Sequence, residues 1–165
     1  MVRTEISLFL KNVPGEMGKL AQLLGENDIN IDALTIQDAS EYVRKLFLAR
    51  GKSLKRIASS SSYQSMNKDS AEHALVRLLV DQTDKAVNLL AEKGYVFDIM
   101  PVIALEVENK PGKLASITQE FVSNNININY LYGSALSENE KYLFVFSPEN
   151  LEQAAEIFQN NNNII

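Results

Sequence analysis

The feature that most constrains this chain is an internal repeat. Asn12-Val13-Pro14-Gly15 recurs as Asn109-Lys110-Pro111-Gly112. Each copy is followed by an Ile-Asn-Ile triplet, Ile29-Asn30-Ile31 in the first half and Ile126-Asn127-Ile128 in the second. The spacing from Asn12 to Asn30 and from Asn109 to Asn127 is 18 residues in both cases, at a constant offset of 97. Two short signals in the same order at the same spacing mean two copies of one small unit within the 165 residues.

The surrounding patterns give the plan of that unit. Ile6, Leu8 and Leu10, and again Ile103, Leu105 and Val107, alternate with polar or mixed neighbours, as a strand with one buried face does. Met17, Leu20 and Leu24, like Leu114, Ile117 and Phe121, fall on one stripe of a helix. Ile29, Ile31 and Ala33 match Ile126, Ile128 and Tyr130 as a second strand of period two. Third strands read from Ala74 to Val80 and from Tyr142 to Phe146, each followed by a helix. The first of these helices, Asp84 to Lys93, stops at Gly94; the second is expected to open with Ser147 as N-cap and Pro148 at its first position. Val96 to Met100 reads as a fourth strand, Pro101 punctuates the join, and the second copy is too short after Phe158 for a full fourth strand.

The expected fold class is therefore α+β, two ferredoxin-like βαββαβ modules over 1–100 and 101–165 with antiparallel sheets and helices on one face. Leu34 and Ile36, and Leu131 in the second copy, are expected on the strand face opposite the helices, which calls for something to cover that face.

Composition removes cysteine chemistry and restricts histidine chemistry, and no motif signals acid–base or nucleophilic catalysis. There is no cysteine and a single histidine, His73, so a thiolate site is excluded and a His-based metal site or triad would rest on one residue. Glu26, Asp28 and Asp32 read as solvated carboxylates at a helix-to-strand corner. Gly51-Lys52-Ser53 ends like a phosphate-binding loop, but Leu46 stands where that loop needs glycine. The expectation is no enzyme, no metal and no cofactor. A net charge of −5 opposes nucleic-acid binding, and no apolar run reaches the ~20 residues of a membrane helix. A cytoplasmic location is expected. One basic segment dissents: about 41–72 carries Arg44, Lys45, Arg50, Lys52, Lys55 and Arg56 among Val43, Leu46, Phe47, Leu54 and Ile57 at helical spacing. It reads as an amphipathic helix and polar linker inserted between the second and third strands, dispensable for the module.

What repeats is a polar turn between a strand and a helix. The first N–H groups of a helix lack internal partners and lie at the positive end of its dipole, where a carboxylate can dock. Gly15 and Gly112 permit a tight turn and close approach to the backbone, and Pro14 and Pro111 stiffen it. Asn12, Asn30, Asn109 and Asn127 offer amides that both donate and accept. Asn-x-Pro-Gly is also a generic turn sequence; its duplication, with a second asparagine at a fixed distance, favours a ligand.

These residues resemble the ACT domain, a regulatory small-molecule module attached to many enzymes of amino-acid metabolism. The second half, from Glu108 to Phe146, is similar to the serine-binding regulatory domain of phosphoglycerate dehydrogenase, and the whole chain resembles stand-alone proteins of two ACT domains. The resemblance implies a free amino acid bound where two modules set their sheets side by side, a homodimer and a regulated enzyme partner. It implies contacts from Asn12, Pro14 and Gly15, from Asn109, Pro111 and Gly112, and from the second-strand Asn30 and Asn127. The histidine that precedes the turn asparagine in phosphoglycerate dehydrogenase is unmatched, since Leu10-Lys11 and Val107-Glu108 occupy that place. The rival expectation is a structural or protein-interaction module with degenerate pockets.

Overall fold

The structure, a computed structural model, describes residues 1–39, 73–136 and 141–160. The basic segment at 41–72 and the chain beyond Asn160 lie outside the described residues. The first repeat supplies β1 (Val2–Lys11), α1 (Glu16–Gly25), β2 (Ile31–Asp38), β3 (His73–Val80) and α2 (Thr83–Glu92). Then come β4 (Phe97–Glu108), α3 (Lys113–Ser123), β5 (Ile128–Leu136), β6 (Lys141–Pro148) and α4 (Leu151–Asn160). Strand order is β2-β3-β1-β4-β6-β5, with every neighbouring pair antiparallel. This is the expected ferredoxin-like plan, βαββαβ in the first repeat and βαββα among the described residues of the second, but the two modules build one sheet rather than two.

The fusion happens in β4. The strand expected to end at Met100 and the one expected to start near Ile103 are a single strand running through Pro101. Its first part pairs with β1, from Leu8↔Phe97 to Val2↔Ile103, and its second with β6, from Ile103↔Phe146 to Glu108↔Lys141. Pro101 does not break it, for a reason of direction. The N–H of Ala104 donates to the Met1 carbonyl at 2.8 Å, so even positions of β4 point to β1 and odd ones to β6. The β6 ladder begins only at Ile103, and the missing N–H of Pro101 removes no ladder bond.

Each half has its own core on the helix side. Ile6, Leu8, Leu20, Leu24, Val76 and Leu78 pack together in the first. Leu105, Ile117, Phe121, Phe146 and Phe158 do so in the second. The opposite face holds a third apolar cluster, Ala33, Leu79, Val102, Ala104, Leu143 and Val145, with Tyr132 against it. The sheet curls about this cluster, because β2 and β5, its two outermost strands, approach each other.

Two expectations fail at the same feature. Both second strands shift register just after they begin, between Ile31 and Ala33 and between Ile128 and Tyr130. The extra residues are Asp32 and Asn129, again 97 apart. A bulge inserts one residue and reverses which face every later side chain takes. Ala33 and Tyr132 therefore turn to the concave side, while Leu34 packs with the helix-side core. Ile36 faces Val76 and Leu131 faces Phe146, both on the helix side, contrary to the period-two reading. Ser147 and Pro148 likewise do not start α4. They end β6, opposite Tyr130 and Ile128, and a proline at a strand's last residue costs little. The cap is Asn150, whose Oδ1 accepts the Gln153 N–H at 3.1 Å. Gly94, with φ 76°, does follow α2 as the helix stop.

Phe121 lies 5.2 Å from Phe146 and 5.1 Å from Phe158, ring centre to ring centre, and is fully buried. Phe121→Ala should lower unfolding free energy by about 3–5 kcal/mol. Val122→Ala, at an exposed neighbouring position, should stay within about 0.5 kcal/mol. Urea denaturation of both variants checks the pair.

Candidate functional site

The two strand–helix turns are built alike. Gly15 (φ 97°) and Gly112 (φ 87°) sit at the N-caps of α1 and α3 in the left-handed region that favours glycine. Space around each is open, so backbone conformation and not crowding demands the glycine. Neither helix start carries a side-chain cap, which leaves its first N–H groups directed outward. Asn12, Pro14, Asn109 and Pro111 are exposed beside them.

Asn30 and Asn127 stand at the other corners, exposed, immediately before β2 and β5. Their backbones are pinned in the same way. The Asn30 carbonyl accepts the Asp81 N–H at 3.1 Å, and the Asn127 carbonyl accepts the Glu149 N–H at 2.9 Å. In the first half the Asn30 N–H also donates to Asp81 Oδ1 at 2.8 Å, and its Nδ2 to Asp32 Oδ1 at 3.1 Å. Arg3 holds the other Asp32 oxygen at 2.6 Å and the Val80 carbonyl at 2.7 Å.

The chain does not bring turns and second-strand asparagines together. Leu131 faces Phe146, Phe146 faces Ile103 and Ile103 faces Val2, so the first part of β5 is level with the start of β1. The Asn12–Gly15 turn follows the far end of β1, where Lys11 faces His73. At a rise of about 3.3 Å per residue, about 20 Å of strand separates that turn from the Asn127 corner. The same holds for the Asn30 corner, beyond Ile31↔Val80, and the Asn109–Gly112 turn past Glu108.

Sequence reasoning overlooked a polar cluster on the concave face. Glu5 is wholly buried. Its carboxylate accepts hydrogen bonds from the hydroxyls of Tyr130 (2.6 Å), Tyr132 (2.9 Å) and Ser7 (3.1 Å). The Arg77 Nε lies 3.7 Å away, and its guanidinium stacks 4.1 Å above the Tyr130 ring. Burial, then the bond to Glu5, raises the Tyr130 hydroxyl above its ordinary pKa; burial and the Glu5 charge raise Tyr132 further. The signal was present: an acid within β1, one residue before its apolar alternation of Ile6, Leu8 and Leu10, and tyrosines two apart on β5. The bulge, which aims those tyrosines inward, hid it. His73 opens β3, half-buried. Among the described residues no His, Asp and Glu group is arranged to hold a metal ion, and no helix is long and apolar enough to cross a membrane.

The sequence profile of the ACT domain pair matches residues 45–165, most of the chain. The chain belongs to the ACT domain pair family. Similar solved structures include the protein BT0572 from Bacteroides thetaiotaomicron, at 23 % identity and TM-score 0.70, over 98 % of this chain and 89 % of that one. The regulatory subunit of aspartate kinase from Thermus thermophilus is similar at 14 % identity and TM-score 0.56, over 99 % and 96 %. That from Thermus flavus has 17 % identity and TM-score 0.50, over 97 % and 94 %. At such identities the likeness concerns the fold. No curated protein matches the sequence significantly.

In this ACT pair the two half-buried tyrosines set a pH limit. Their hydroxyls stay neutral in the folded chain, whereas in the unfolded chain they ionise around the ordinary value of 10.0. The folded state then binds more protons, so this contribution is full below pH 10 and is lost as pH rises above it. Urea midpoints between about pH 9 and 11 should fall more steeply for the natural chain than for the Tyr130→Phe/Tyr132→Phe double variant.

Proposed function

We propose that this ACT pair is a non-catalytic regulatory protein that binds a free amino acid and passes its occupancy to an enzyme partner. The observation that carries the reading is the twofold construction of an uncapped helix start on a left-handed glycine, at Gly15 and Gly112. Such a start suits an α-carboxylate: outward N–H groups, a favourable dipole and no side chain in the way. The amides of Asn12, Asn30, Asn109 and Asn127 suit an α-ammonium group and the remaining carboxylate oxygen.

The opposite placement of turns and second-strand asparagines supports a site shared between chains. The turn of one chain, Asn12-Pro14-Gly15 or Asn109-Pro111-Gly112, meets Asn30 or Asn127 of a second, so the working unit is a homodimer. The two modules, 1–100 and 101–165, join inside β4 and each contributes one turn and one asparagine. The likeness in fold to regulatory subunits of aspartate kinase favours an enzyme as the partner. The protein works in the cytoplasm and needs no cofactor, metal, nucleic acid or membrane.

A thermal-shift series against the common L-amino acids tests this. One of them should raise the melting temperature, by the equivalent of about 2.7 kcal/mol at a hundred times its dissociation constant. Gly112→Asp, which puts a negative charge where the carboxylate docks, and Asn127→Ala should each weaken that response while circular dichroism stays unchanged. If no amino acid stabilises the chain, the interaction-module reading takes its place.

A further inference from the structure

The concave face is asymmetric where the repeat is otherwise faithful. At the offset of 97, Glu5 corresponds to Val102 and Ser7 to Ala104, while Tyr130 corresponds to Ala33 and Tyr132 to Thr35. Arg77, opposite Ser7, corresponds to Val145, opposite Ala104. Val102, Ala104, Val145 and Ala33 belong to the apolar cluster. One set of corresponding positions, drawn from both halves, thus closes this face mainly by apolar packing, and the other, also drawn from both, places a buried carboxylate there with hydroxyl and guanidinium partners. Packing does not require the polar set, and burying it costs more than apolar residues would.

What the polar set adds is directional contact across the curl. Glu5 and Ser7 lie on β1, Arg77 on β3, and Tyr130 and Tyr132 on β5, an edge strand of the sheet. The tyrosine bonds join residues 125 and 127 positions apart. A buried carboxylate that loses two of its donors is strongly destabilised unless water reaches it. Water reaches it if β5 moves off β1.

We propose that Glu5, held by Tyr130 and Tyr132, is a latch that fixes the curl of the sheet and the approach of β5 to β2. The latched sheet keeps the Asn30 and Asn127 corners in one relative position; the unlatched sheet lets β5 swing outward with the Asn127 corner. The latch stands whether or not an amino acid is the ligand.

The chain has no cysteine, so Gln37→Cys on β2 and Asn129→Cys on β5, both exposed, give two unique sites for nitroxide labels. Pulsed electron–electron resonance, on labelled chains exchanged into an excess of unlabelled chain so that each assembly carries one labelled pair, then reads the β2–β5 distance. The labelled natural background should give one narrow distribution. Tyr130→Phe/Tyr132→Phe should shift it to longer distance and broaden it, with secondary structure retained by circular dichroism. Phe121→Leu, a core change on the helix side, should leave it narrow. An unchanged distribution in the folded double variant, or equal broadening in Phe121→Leu, overturns the latch. Should the double variant fail to fold, Glu5→Gln decides in the same terms: broadening supports the latch and a narrow distribution overturns it.

Discussion

The rest of the architecture depends on β4 being shared. One strand hydrogen-bonds to β1 along its first part and to β6 along its second, with Ile103 paired on both sides. Two modules joined by a flexible linker would be free to reorient. Joined within a ladder they are not, because rotation of one against the other would break the β1–β4 or β4–β6 bonds. Pro101 sits in the middle of this joint without harm because its missing donor points to the β6 side, where ladder pairing starts only at Ile103.

From that joint follow the two faces. Helices cover each half separately, giving two cores, whereas the concave face is common to both and gathers Leu79 with Val145, and Ala33 with Tyr132. The bulges at Asp32 and Asn129 make this possible by turning the second strands' later residues inward. They leave Asn30 and Asn127 outside, at the sheet's corners, with their backbones tied to the residues that follow β3 and β6.

Much of this was legible in the residues. Alternation in β1 and β4, the stripes of α1 and α3 and the glycine turns depend on local periodicity and on φ, which short stretches of sequence express. The ACT resemblance drew on the same stretches. What was not legible depends on pairing between distant strands. A bulge is an agreement between two strands about register, so Leu34, Ile36 and Leu131 were assigned to the wrong face. Ser147-Pro148 has the composition of a helix start but pairs with β5 instead. Pro101 looked like a boundary because its harmlessness depends on where β6 begins. Glu5 found its partners more than a hundred residues away, where no local pattern points.

The geometry gives the functional account its central claim: turn and asparagine cannot meet within one chain, so a ligand that needs both must lie between two. Complementation tests this directly. One variant loses both turns (Gly15→Asp, Gly112→Asp) and the other both corner asparagines (Asn30→Ala, Asn127→Ala). Calorimetry on each alone, with the stabilising amino acid, should find no binding. After mixing and subunit exchange, binding should return in mixed dimers, because one set of sites then combines intact turns with intact asparagines. If the mixture stays inactive while subunit exchange is shown by labelled chains, the shared-site account is wrong.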